Sequence, residues 1–293
     1  MVGSSPKYLA LYENNRGNLR DVPPPTLAGV LRANELFAVV YDAHMRGHHT
    51  HAIDMIGGAF DKGHVGRRIV APGDGTGILT SSLALKAIAR MDREGGDRPY
   101  EIVCSDISQV MLKIARRNAR EKIQRANNIR AMSRGRLTIC ETDAGLDVLN
   151  GTRKILEVRF VIAGVHELDR LAGDDGVDTF LTAYIQHWIT SLEPGVCALE
   201  AKIAMNRKIY ELLKPGGTEI SVEEYPLIVR TDRLDEGMEE LPELIQANTS
   251  IISIDTLRRI WADIGFTGVC TQQRQIDDLV EHIERCDVQK KAA

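Results

Sequence analysis

Residues 69–77 read Ile-Val-Ala-Pro-Gly-Asp-Gly-Thr-Gly, and this segment constrains the chain more than any other. A short apolar run suited to a buried strand breaks into a loop with glycine at Gly73, Gly75 and Gly77, and a helix-forming stretch follows at 78–89. Glycines at alternate positions let the backbone turn at positive φ, and they let a ligand approach main chain that a Cβ would shield. Strand, glycine loop and helix in that order point to a nucleotide site.

The loop itself narrows the choice of nucleotide. A dinucleotide fingerprint places its third glycine five positions after the first, where this chain has Ile78, and it presents bare amides to a pyrophosphate. Asp74 sits inside the loop, and a carboxylate beside two phosphates costs Coulomb energy. No Gly-Lys-Ser/Thr follows, which excludes the phosphate-cradling loop of nucleoside triphosphatases. A positively charged cofactor fits better.

Further strand ends follow in order. Residues 100–105 end at Asp106-Ile107-Ser108 and lead into a helical pattern with Val110, Met111, Ile114 and Ala115. A carboxylate at Asp106 can accept both hydroxyls of a ribose, and its distance from Gly77, about 29 positions, suits a strand-helix-strand crossover. A third run, 137–140, leads to Asp143-Ala144, where a carboxylate can accept from an adenine amino group. A fourth, 160–163, ends at Gly164-Val165-His166-Glu167, and residues 218–223 read as a fifth strand after the helix closed by Leu213-Lys-Pro-Gly-Gly217. Five strand ends with polar residues on their C-terminal side describe a ligand crevice along one edge of a parallel sheet.

The ordered set Pro72-Gly-Asp-Gly-Thr-Gly77, Cys104-Ser-Asp-Ile-Ser108, Thr142-Asp-Ala144 and Leu213-Lys-Pro-Gly-Gly217 resembles the Rossmann-like (class I) S-adenosylmethionine-dependent methyltransferases of small-molecule type, over roughly residues 36–275. The N-terminal run from Val40-Tyr-Asp42 to Gly47-His48 is similar to the entry segment of quinone-biosynthesis C-methyltransferases. The resemblance implies S-adenosyl-L-methionine as cofactor and S-adenosyl-L-homocysteine as product. It also implies that Gly73, Asp74, Gly75, Gly77 and Gly164 surround the cofactor, that Asp106 holds the ribose, and that Asp143 and Ala144 meet the adenine; the apolar Ile107 and Met111 can sandwich the ring, with core packing equally suited to Met111. Two departures stand out: Ala71 and Phe160 occupy positions where family members often carry an acid.

The fold expected is α/β, a doubly wound, mostly parallel seven-stranded sheet with an antiparallel edge strand. A polar arm and helical lid at 1–63 precede a core at 64–275. That core carries a helical insertion at about 168–197 and a cap piece at about 226–250, and a C-terminal helix and tail at 276–293 follow it. Ser253 begins a helix that Gly265 stops, and a last strand follows at 268–273.

Methyl transfer from a sulfonium needs no metal, because the leaving group is already activated and the protein mainly aligns the reactants. A base matters only for a weak nucleophile. His166 and Glu167, directly after the fourth run, are the first candidates for a substrate-facing acid or base, with helix capping as the competing role. Tyr41 can reach the methionine end or pack as core. His44, His48, Tyr184 and His187 are candidates for the acceptor pocket, against surface or helix-packing roles. The histidine cluster at 44–51 has spacing that can bind zinc, but no cysteine lies near it.

The formal charge of −4 gives no global attraction to a polyanion. Basic residues gather at 116–136, a pattern that a solvated helix face accounts for. Five cysteines show no Cys-x-x-Cys pairing, so a reducing compartment and a cytoplasmic address are expected. No apolar run approaches the ~20 residues that a bilayer requires. A small-molecule acceptor is therefore expected, with nucleic acid disfavoured and a homodimer compatible. An RNA or protein methyltransferase using the 116–136 face, and a non-catalytic cofactor-binding scaffold, are the alternatives.

Overall fold

The structure, a computed structural model, describes residues 9–11, 27–44, 46–189, 196–225, 227–229, 245, 249–275 and 283–293. Two helices, α1 (Leu27–His44) and α2 (Arg46–Asp61), precede the sheet, and part of the arm, β1 (Leu9–Leu11), pairs antiparallel with β9 (Leu227–Val229). The central sheet has five parallel strands. They are β2 (Arg68–Pro72), β3 (Tyr100–Asp106), β6 (Arg153–Ile162), β7 (Val177–Ala183) and β8 (Leu213–Tyr225), lying side by side as β8-β7-β2-β3-β6. β2, β3 and β7 are buried along almost their whole length, as a parallel sheet covered on both faces demands.

Helices α3 (Ile78–Glu94) and α4 (Gln109–Arg130) join β2 to β3 and β3 to the strands beyond it, and with α2 they cover one face. The main core lies there, with Met55, Phe60, Leu83, Ile123, Leu181 and Val222. The short α5 (Leu168–Ala172), α6 (Ala198–Leu212) and α7 (Ile254–Ile264) cover the other face around Phe180, Ile209, Leu257 and Trp261. Ser253 caps α7 by accepting from Thr256 N at 3.2 Å, and Gly265 ends it at φ 109, as the sequence predicts.

Four expectations are corrected. The sheet has nine strands, not seven, because an antiparallel pair flanks the parallel strands on each side. Residues 137–150 form the hairpin β4 (Thr138–Glu141) and β5 (Gly145–Asn150), which pairs antiparallel with β6. The 160–163 run is therefore the end of β6, next to β3. On the other side of β2 lies β7, within the stretch expected to be a helical insertion; its run Val-Asp-Thr-Phe-Leu-Thr-Ala is β-branched and aromatic, which favours a strand. At the other edge, Ile283–Lys290 is not a helix but β11. It lies between β8 and β10 (Thr267–Gln275), with Cys286 and Val288 fully buried.

Most of the 226–250 cap piece lies outside the described residues.

Candidate functional site

The glycine loop joins β2 to α3, and the structure shows why each glycine is there. Gly73, Gly75 and Gly77 adopt φ of 65, 54 and 69°. A Cβ on Gly77 would lie 2.6 Å from the Ala115 Cβ, so its absence lets the start of α3 meet α4. A Cβ on Gly73 would lie 2.3 Å from Cδ1 of Ile185, a side chain from the turn after β7.

Several of the loop's amides already have acceptors within the protein. Asp106, 6% exposed at the tip of β3, accepts from Gly75 N at 3.2 Å through one carboxylate oxygen and from Ser108 N at 2.8 Å through the other. Asp74 turns its carboxyl inward, accepting from Thr80 N at 2.9 Å, while its carbonyl accepts from Gly77 N at 2.9 Å. A phosphate site at a helix N-terminus needs such amides open. Here Gly75, Gly77 and Thr80 donate within the protein, and two buried acids stand beside them. Burial raises the Asp106 and Asp74 carboxyls to about 6; charge repulsion from Asp106 adds to the shift of Asp74. The Cys104 thiol, behind Asp74, is also pushed up by burial.

A carboxylate has about four lone-pair positions, so Asp106 keeps capacity to accept from a ligand hydroxyl beside its amide bonds. Asp74 instead serves as a cap for α3. Beside Asp106 runs the tip of β6, where Ala163 N donates to the Asp106 carbonyl at 3.1 Å. A Cβ on Gly164 would lie 2.6 Å from His166 Cε1 and 3.2 Å from Ile107 Cγ2, so these three residues share one spot next to Asp106. The premise behind His166 and Glu167 thus changes, because they follow the strand on the Asp106 side. Glu167 accepts from Gly164 N at 3.0 Å and pairs with Arg170 at 3.3 Å, the capping role, and the His166 side chain is 73% exposed.

Asp143 and Ala144 are exposed in the turn between β4 and β5, beyond β6, where Arg116 donates to the Thr142 carbonyl at 2.6 Å. The hairpin displaces them outward, and the segment 162–165 takes the place next to Asp106 that the sequence reading assigns to them. Met111 is 1% exposed and packed as core, with no free face, whereas Ile107 is half-buried at the strand tip. Tyr184 is buried after β7. The side chains of Tyr41, His44, His48 and His187 lie outside the described residues. Ala71 is fully buried in the main core, and Phe160 packs partly buried against it.

Sequence reasoning missed the turn that follows β7. There Glu223, at the end of β8, accepts from Ile185 N at 3.2 Å and Gln186 N at 3.1 Å. Lys202 of α6, fully buried, donates to the carbonyls of Gln186 and, at 2.7 Å, Ile189. Burial pulls its ammonium down to about 7. A small cavity lined by Gln186, Glu223, Glu224, Ile251, Ile252 and Leu257 opens beside the turn. The one available signal was alternation in β8, where Glu219, Ser221 and Glu223 share a face.

No family model matches the chain, and none of the curated proteins matches its sequence. Solved structures do. An O-methyltransferase family protein from Burkholderia thailandensis aligns with TM-score 0.52 at 11% identity, over 87% of this chain and 60% of that one. The fold is that of a class I methyltransferase. Magnesium protoporphyrin IX methyltransferase from Synechocystis, solved with S-adenosylhomocysteine, aligns at TM-score 0.49 and 16% identity over 86% of this chain and 87% of that one. N-methyltransferase NodS from Bradyrhizobium japonicum aligns at 0.45 and 9%, over 77% and 78%.

Proposed function

We propose that the chain is an S-adenosylmethionine-dependent methyltransferase acting on a small molecule. The observation that carries this reading is the internal use of the glycine-loop amides together with the buried Asp106 at the neighbouring strand tip. A loop whose Gly75 and Gly77 amides, with that of Thr80, donate within the protein, and which has two acids beside it, disfavours a diphosphate and suits a ligand that brings hydroxyls and a cation.

Asp106 would accept the ribose hydroxyls, Gly73, Gly75 and Gly77 would border the methionine arm, and Ile107, Gly164 and His166 would flank the adenine. When bound, the cofactor supplies a methyl group already activated by its sulfonium. The residues of this chain then need only align the acceptor and keep water out. A small-molecule acceptor is favoured over RNA because basic residues of α4 are spent on local pairs, Arg120 with Glu141 at 2.8 Å and Arg130 with Asp92 at 2.7 Å.

Calorimetric titration with S-adenosylhomocysteine, followed by transfer of labelled methyl to fractionated metabolites, tests the reading. Saturable binding and label in a low-mass fraction support it. Binding of NAD in place of S-adenosylhomocysteine would overturn it.

A further inference from the structure

The turn at 184–189 is held more tightly than its surroundings require. Tyr184 has φ 54°, the one positive φ of a non-glycine among the described residues, and its amide donates to the Val222 carbonyl at 2.8 Å. Next to it, the Glu223 carboxylate gathers the amides of Ile185 and Gln186, while the Lys202 ammonium gathers the carbonyls of Gln186 and Ile189. The Gln186 side chain exchanges hydrogen bonds of 3.3 Å with Asn206, which also accepts from the Trp261 indole at 2.8 Å.

A buried lysine and a buried glutamate are costly in a core that aliphatic side chains could fill. Their charged ends are spent on the main chain of a single turn, one on its donors and the other on its acceptors. Such an arrangement over-determines a backbone conformation that is uphill by itself.

The turn presents Ile185, 4% exposed, to the glycine loop, with Cδ1 so close to Gly73 that only a hydrogen fits between them. We propose that Lys202 and Glu223 are positioning residues that fix this turn, so that Ile185 holds the Gly73 end of the loop at the width the cofactor's methionine arm needs. This inference rests on the cofactor reading above. It goes beyond that reading by assigning the fit of one part of the cofactor to residues that do not touch it.

Adenosine and S-adenosylhomocysteine share the adenosyl half and differ in the amino-acid arm, so their affinity ratio isolates the effect from general loosening of the fold. Calorimetry on the full chain would compare wild type with Glu223→Met, Lys202→Met, Glu223→Gln and Ile185→Ala. In the two methionine variants and in Ile185→Ala, S-adenosylhomocysteine should weaken by about 10-fold or more while adenosine changes by less than about 2-fold, the loss expected when a positioned contact is released. Glu223→Gln should stay near wild type, because its amide oxygen still accepts both N–H groups.

Ile185→Ala keeps the test alive if a methionine variant does not fold, since it leaves the polar network intact. Equal weakening of both ligands, or no change in either, would overturn the inference while leaving the cofactor reading in place. A wild-type chain that binds neither ligand would overturn both.

Discussion

At the scale of single residues the site turns on Asp106. Its two oxygens hold the Gly75 and Ser108 amides, so it shapes the loop before any ligand arrives. Asp106→Ala should weaken S-adenosylhomocysteine binding by about 1–3 kcal/mol through lost charged hydrogen bonds, read by calorimetry; an unchanged affinity would remove Asp106 from the site. The same carboxyl sets a pH dependence. Burial raises it from the usual 3.8 to about 6. The neutral form is the one burial favours, so its contribution to stability is complete below about 4 and is lost as pH rises through about 6. Ribose hydroxyls are accepted best by the ionised form. Affinity should therefore be flat above pH 7 and fall by up to ~10-fold per unit below pH 6, the limit for linkage to one proton. A profile flat from pH 5 to 8 would sink this assignment. Away from the loop, Trp261→Phe removes the indole N–H that Asn206 accepts and leaves a void where the larger ring was buried, so it should cost about 2–4 kcal/mol in urea unfolding.

At the scale of elements, the parts that local chemistry dictates were legible and those that depend on pairing partners were not. The strand-loop-helix from β2 to α3 announces itself through its glycines, and α7 through Ser253 and Gly265, because caps and positive-φ turns are local requirements. The hairpin arm was legible in principle. Gly151, at φ 63°, opens a two-residue loop between Asn150 and Arg153, the glycine-first pattern of a tight hairpin. Missing it misplaced the 160–163 run in the sheet, and with it Asp143 and His166. β7 hid because its burial on both faces erases the alternation that marks a strand. β11 hid for another reason: charged Arg285 and Asp287 interrupt its apolar pattern, yet Asp287 is buried, accepts from Thr271 at 2.6 Å and has the partly buried Arg285 2.8 Å away. Asp287→Ala should therefore destabilise the fold by about 1–3 kcal/mol, because a buried acceptor of the Thr271 hydroxyl is lost. Unfolding in urea checks it, and a loss below about 1 kcal/mol would return β11 to the status of a surface strand.

At the scale of the whole molecule, the class of ligand decides between a nucleotide fold in general and this one in particular. Any ligand that binds only the folded chain stabilises it by RT ln(1 + [L]/Kd), about 2.7 kcal/mol at a hundredfold excess over Kd. In a chain of this size each kcal/mol is worth roughly 2–4 °C, so saturating S-adenosylhomocysteine should raise the melting temperature by about 5–10 °C. NAD carries the same adenosine but attaches it to a diphosphate. On this chain the diphosphate meets the Gly75 and Thr80 amides already bonded and the Asp74 and Asp106 carboxyls alongside. Its shift at the same concentration should stay below about 1 °C, because repulsion and unmade hydrogen bonds offset the gain from adenosine. Differential scanning fluorimetry with both ligands separates the two cases. A larger shift with NAD than with S-adenosylhomocysteine would mean that the loop opens to phosphate, and that the internal bonding of its amides does not govern what the crevice accepts.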